Sequence, residues 1–210
     1  MLSTQTAAVE QRPHTPRQFV ERRLADPRRL RTGMLWLAIV ALAYGGCLLL
    51  LASGGGEPGP APWLDIPQSS YYYWEAAFIA PVIVAAAILA AGCMHLLARA
   101  AGGRGSFDDT MALVGSATAV CTLCTLVPDL IIGVLLRTGA IQADAWLEAV
   151  AHPTVTLGIV WAYMSVYAVA FLVLFPMVAS AAHRLSVRAA VAIGWTGFAI
   201  YQGVMYIFVR

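Results

Sequence analysis

Lysine is absent from this 210-residue chain, so all thirteen basic residues are arginine. That absence removes every lysine-dependent mechanism, including Schiff-base chemistry and the Walker-type phosphate loop, whose lysine follows its glycines. Charge of either sign is scarce. Only 11% of residues are charged while 60% are hydrophobic, whereas soluble domains carry about 25% charged residues. A soluble globule of this length has too little interior to hide so much apolar surface, so the solvent of most of the chain is a bilayer. A large basic domain is also lacking, which excludes an electrostatic nucleic-acid binder.

What the sequence does have is a series of long apolar runs. Residues 34–53 form an uncharged stretch of the length that crosses ~30 Å of hydrocarbon as a helix. No small-residue cleavage site follows closely, so it reads as a retained anchor rather than a removed signal peptide. Four further spans are expected near 76–98, 110–136, 155–182 and 189–209. The fold class is therefore all-α and polytopic: a five-helix transmembrane domain over 34–210, preceded by a basic arm over 1–33.

Arginine placement sets the orientation. Arg12, Arg17, Arg22, Arg23, Arg28, Arg29 and Arg31 precede the first span, and Arg99, Arg104, Arg184 and Arg188 occupy the second and fourth connections. Only Arg137 and Arg210 fall on the other side. The amino terminus is thus expected in the cytoplasm and the carboxyl terminus outside, in an inner (plasma) membrane. Between the first two spans, a Gly/Pro-rich loop ends in Tyr71, Tyr72, Tyr73 and Trp74, residues suited to an interfacial aromatic belt.

In the arm, Thr15 as N-cap, Pro16 at the first helical position and Gln18 at the third predict a short amphipathic helix that stops at Pro27. With Arg22, Arg23, Arg28 and Arg29 around it, this segment is expected to lie on anionic lipid head groups or to dock a protein partner, each arginine adding roughly 1 kcal/mol of attraction to an acidic leaflet.

Between the second and third spans, Gly102, Gly103 and Gly105 invite comparison with a phosphate loop, but both the lysine and the preceding strand are missing. The local physics predicts a left-handed cap at Gly102 or Gly103, then a capping box from Ser106 to Asp109 that opens the third helix. Arg99, Arg104 and free backbone N–H groups there offer a lipid phosphate a place to sit.

Pro16-Arg17-Gln18-Phe19, the Pro27-Arg28-Arg29 break before the first span, and HLLARAAGGRGSFDDTMAL over 95–113 together resemble bacterial members of the Yip1 family. The resemblance implies the five-span plan and a cytoplasmic amino terminus. Eukaryotic members are associated with Rab GTPases and vesicle trafficking. It implies no enzyme activity, no catalytic residues and no cofactor.

Ionisable residues within spans are expensive and invite functional readings. Asp129 follows Pro128 in the third span, and Glu75 opens the second at a similar outer depth. Together they form a candidate cation or proton site of a transporter, with Pro81 and Pro128 breaking their helices. The alternative makes Glu75 an interfacial acid favoured by the helix dipole and Asp129 a group that snorkels outward or satisfies the proline break. His95 and His183 end the second and fourth spans at matching depth, as helix-capping or packing residues or, in the sharper reading, haem ligands. No other metal site is expected. Cys47, Cys93, Cys121 and Cys124 all fall in apolar spans and read as packing residues, since a thiolate in hydrocarbon is strongly disfavoured. Small residues at four-residue spacing, Ala86/Ala90, Ala87/Ala91 and Gly115/Ala119, predict close helix contacts. Gly194 and Gly197 suit either the bundle or a homodimer face. The function expected from all this is non-enzymatic: a membrane-organising or adaptor protein, with ion- or proton-coupled transport as the alternative.

Overall fold

The computed structural model describes residues 24–58 and 64–209. The predicted arm helix, with Arg22 and Arg23, lies outside the described residues apart from Leu24 and Ala25. Residues 24 and 25 are helical, and the chain turns at Asp26, whose carboxylate accepts the Arg28 N–H at 2.8 Å.

Six helices follow: α1 (Arg29–Ser53), α2 (Gln68–Ala100), α3 (Phe107–Arg137), α4 (Ala143–Ala151), α5 (Val155–His183) and α6 (Val187–Phe208). All but α4 are long and apolar enough to cross a membrane, and no strand occurs among the described residues. The shortest of the five, α6, has 22 residues, which at 1.5 Å per residue gives about 33 Å, enough for ~30 Å of hydrocarbon. The chain is an all-helical, multi-span membrane protein.

The five spans close into a ring. Helix α1 packs on α3, α3 on α5, α5 on α6, α6 on α2 and α2 back on α1, with α2 also touching α3. Because lipid is as apolar as leucine, packing in such a ring depends on how closely backbones approach. Ala86, Ala87, Ala90 and Ala91 on α2 are fully buried, as their spacing predicts. At the α1–α3 crossing, a Cβ on Gly33 would lie 2.3 Å from the Ala112 carbonyl oxygen, and one on Gly115 would lie 2.9 Å from that of Gly33. At the α5–α6 crossing, a Cβ on Gly194 would meet the Pro176 nitrogen at 2.3 Å, and one on Gly197 would meet the Met94 sulfur of α2 at 2.4 Å. Gly194 and Gly197 therefore serve the bundle, the choice the sequence left open.

Three features differ from expectation. Helix α2 begins at Gln68, eight residues before the predicted span, because the Tyr71–Glu75 segment continues the helix instead of ending a loop. Pro81, Pro128 and Pro176 all lie inside continuous helices, so the breaks expected at Pro81 and Pro128 do not form; in a membrane, neighbouring helices readily accommodate a proline. Helix α4, a short outer-loop element touching only α5 among the major packing pairs, was not foreseen.

Gly194→Ala is expected to separate α5 from α6 and lower stability by about 1–3 kcal/mol. Gly46→Ala, with nothing within 4 Å of the added methyl, should leave stability unchanged or raise it. Thermal midpoints in detergent compare the two, and equal midpoints would refute the crossing as a tight contact.

Candidate functional site

The ends of α1, α2, α3, α5 and α6 that carry most of the arginines meet on one side of the bundle. The connection from α2 to α3 organises this end. Helix α2 stops at Ala100, Gly102 takes a left-handed φ of 83°, and the Gly103 N–H returns to the Ala98 carbonyl at 2.8 Å. Ser106 and Asp109 then form the predicted capping box, the Ser106 hydroxyl accepting the Asp109 N–H at 3.1 Å. Between these two devices the connection lies flat on the end of α5. A Cβ on Gly105 would fall 2.0 Å from the Ala182 carbonyl oxygen, and the Arg104 N–H donates to the His183 carbonyl at 3.3 Å. Only glycine permits so close an approach of backbone to backbone.

That docking brings together arginines distant in sequence. Arg29 from α1, Arg104 from the connection and Arg184 from the end of α5 line one cavity of about 300 Å³, with Leu24, Gly105, Asp109, Ala181 and Ala182. Arg29 forms an ion pair with Asp109 through Nε. The guanidiniums of Arg104 and Arg184 have no acidic partner among the described residues and are exposed. Arg184 is also the one non-glycine described residue with positive φ, 55°, an uncommon conformation for a long side chain and a mark of local constraint. Sequence reasoning counted Arg184 only toward orientation; its part in a pocket comes from the docking of a loop some eighty residues away. Arg99 behaves differently from Arg104. Its guanidinium donates to the Gly103 carbonyl at 3.3 Å, so it closes the helix end and does not line the cavity. Arg28 is exposed at the start of α1.

Beneath the docked connection sit the two histidines. The rings of His95 and His183 are 5.3 Å apart, and Phe107 meets His95 edge-on at 5.9 Å. His183 is buried, and its Nε2 lies 2.8 Å from the Thr110 hydroxyl, which itself donates to the Ser106 carbonyl at 3.0 Å. A hydroxyl has one proton, so Nε2 carries hydrogen and donates to Thr110. Nδ1 is then the lone-pair nitrogen, buried and without a partner, as is Nδ1 of His95. Of capping and packing, the two roles expected of the histidines, the geometry favours packing: His183 is buried in the last turn of its helix and half-buried His95 lies ring to ring with it. They do not fit a haem either: with Gly103 and Gly105 closed over His183 and Phe107 on His95, no slot for a porphyrin separates the rings. No group of three or more metal-ligating side chains occurs among the described residues.

At the opposite end, Asp129 on α3 accepts from Tyr44 of α1 and Tyr163 of α5, both at 3.1 Å. It therefore neither snorkels nor serves the Pro128 break. Glu75 is fully buried, two turns into α2 instead of at its interfacial start, and Tyr71 one turn before it is buried too, donating to the Phe208 carbonyl at 2.8 Å. Of the predicted aromatic belt, Tyr73 and Trp74 are exposed as expected. Close by, a cavity of about 460 Å³ takes walls from all five spans, including Tyr44, Ile83, Thr122, Tyr167 and Gln202. The Tyr167 hydroxyl donates to Gln202 Oε1 at 2.9 Å across it. The four cysteines are free, with Cys47 and Cys121 buried.

The fold and the glycine-rich connection define a class, the small multi-span membrane proteins whose spans are clasped at one end by a loop. A sequence model of the Yip1 domain matches residues 14–208, and the chain belongs to the Yip1 family. Neither the curated proteins nor the solved structures contain a match to it.

Thr110→Val removes the acceptor of the His183 Nε2–H and leaves a buried donor unsatisfied, with an expected loss of about 1–3 kcal/mol. Thr110→Ser, which keeps the hydroxyl, should retain most of that stability. Equal losses in both variants, read as thermal midpoints, would show that the methyl group matters and the hydrogen bond does not.

Proposed function

We propose that this protein is a non-enzymatic membrane organiser or adaptor whose arginine-rich end faces the cytoplasm of an inner (plasma) membrane and engages anionic lipid head groups or protein partners. The observation that carries this reading is the pair of exposed guanidiniums, Arg104 and Arg184, lining one cavity without acidic partners among the described residues. The clustering of Arg28, Arg29, Arg31, Arg99, Arg104, Arg184 and Arg188 at the ends of the spans supports the orientation, because positive charge favours the cytoplasmic side. It also supplies the field that attracts acidic lipid, roughly 1 kcal/mol per arginine near the surface. Removing three exposed charges, as in Arg28→Gln/Arg31→Gln/Arg104→Gln, is expected to strip co-purifying anionic lipid or a protein partner from the protein extracted in native nanodiscs. Mass spectrometry of the particles gives the answer, and unchanged recovery would overturn the reading.

A second reading, ion- or proton-coupled transport, is favoured by the tyrosine clamp on Asp129 beside a cavity walled by every span. An ionisable group held within a bundle is a common element of proton and ion pathways. Asp129→Asn is expected to abolish flux in proteoliposomes if transport is the function, since the amide retains a hydrogen-bonding shape but not the charge. Wild-type flux in that variant would dispose of this alternative.

A further inference from the structure

We propose that the cavity formed by Arg29, Arg104 and Arg184 is a binding site for a phosphate monoester, the head group of an acidic lipid being the source its surroundings favour. The proposal rests on the reading of the arginine-rich end as an anion-engaging surface and gives that surface a ligand and a set of contacts.

Charge balance selects the ligand. Three guanidiniums and the single Asp109 carboxylate leave the cavity with two uncompensated positive charges. A phosphate monoester carries about −1.5 to −2 at neutral pH and neutralises this excess, whereas a phosphodiester with one negative charge leaves half of it. Guanidinium is the cation best matched to phosphate oxygens, because its planar fork donates two parallel N–H bonds. The guanidiniums of Arg104 and Arg184 are exposed and make no ion pair with a described residue. Arg29 gives Nε to Asp109 and its remaining donors lean toward the Asp26 carbonyl at 3.5 Å, beyond a firm hydrogen bond.

Construction of the site points the same way. Its three arginines come from three separate segments, and each is placed by backbone instead of by a flexible tether. Arg29 opens α1, Arg104 follows the Gly102–Gly103 turn and is anchored by its own N–H on the His183 carbonyl, and Arg184 is held in a left-handed conformation immediately after α5. The left-handed cap that ends α5 at Arg184, with its N–H on the Ser180 carbonyl at 2.8 Å, fixes this backbone beside the docked connection and so beside Arg104. Like charges gathered in this way repel unless an anion joins them. At about 300 Å³, the cavity stands at the small end of the ~300–1,000 Å³ range of ligand pockets, with room for one phosphate and the first atoms of its ester. Leu24, Ala181 and Ala182 provide an apolar margin at the level where the spans leave the membrane, which suits a glycerol ester better than a soluble sugar or nucleotide.

The test uses the full-length protein in nanodiscs of phosphatidylcholine doped with phosphatidic acid, a monoester, or with phosphatidylglycerol, a diester, at equal surface charge. Lipid retained by the protein is read by native mass spectrometry. The expected result is retention of phosphatidic acid about tenfold over phosphatidylglycerol, falling to parity in Arg104→Gln and in Arg184→Gln. Arg188→Gln, an exposed arginine outside the cavity, should keep the full preference. Arg104→Lys and Arg184→Lys, which keep charge without the fork, should lose most of it, and an unchanged thermal midpoint confirms that each variant is folded. Inorganic phosphate added to undoped nanodiscs separates the sources. Saturable binding that is lost in Arg184→Gln assigns the site to a soluble phosphate, while retention of phosphatidic acid alone assigns it to lipid. Equal retention of both lipids overturns the monoester site yet leaves the broader anionic-surface reading standing. Failure to retain either lipid or phosphate overturns both.

Discussion

Close approach of helix backbones is the constraint on which everything else here depends. In water a bundle is driven together by its apolar faces, but in a bilayer those faces are equally content with lipid, and association relies on dispersion and weak polar contacts at short range. Gly33 against Ala112, Gly194 against Pro176, and the buried alanines of α2 all shorten the distance between axes. The same device recurs at the polar end, where Gly105 lets the α2–α3 connection lie on the Ala182 carbonyl. Without that contact Arg104 and Arg184 would belong to separate loops and their charges would not converge.

The two ends of the bundle differ in how they treat polar groups. At the arginine-rich end, hydrogen bonds satisfy the backbone first: the capping box, the Gly103 return, and the Arg104 N–H on the His183 carbonyl. The guanidiniums of Arg104 and Arg184 are left over and face outward. At the other end the polar side chains bond to each other, with Asp129 between Tyr44 and Tyr163 and Tyr167 to Gln202. A carboxylate within a bundle requires partners, and tyrosine supplies a hydroxyl on an otherwise apolar body, so the clamp ties α1, α3 and α5 together at this end. This contrast is why the arginine-rich end carries the primary functional reading.

Much of this was legible in the residues themselves. The spans were visible as long apolar runs, the capping box as Ser106 and Asp109, and the left-handed turn as Gly102 or Gly103. These are local features, governed by hydrophobicity over one helix length or by a single turn. Errors arose where a local signal had two physical outcomes. Tyr71–Trp74 suits an interface whether it ends a loop or continues a helix, and the choice moved Glu75 from the membrane surface into the core. Pro81 and Pro128 break a helix in water, but here they are carried inside continuous helices surrounded by neighbours. His95 and His183 were open to either helix capping or packing, and only the neighbouring of α2 and α5, which brings their rings within 5.3 Å, decides for packing.

By itself the sequence determined the class of the protein, its five spans, the family to which it belongs and the concentration of arginine in the arm and in two connections, because hydropathy and charge act residue by residue. Only the tertiary structure decided which arginines share a cavity, that Asp129 is held by two tyrosines, and that Gly194 and Gly197 face the bundle. Those outcomes depend on which helices become neighbours, and that is settled by shape fit between backbones far apart in the chain, a property no single segment contains.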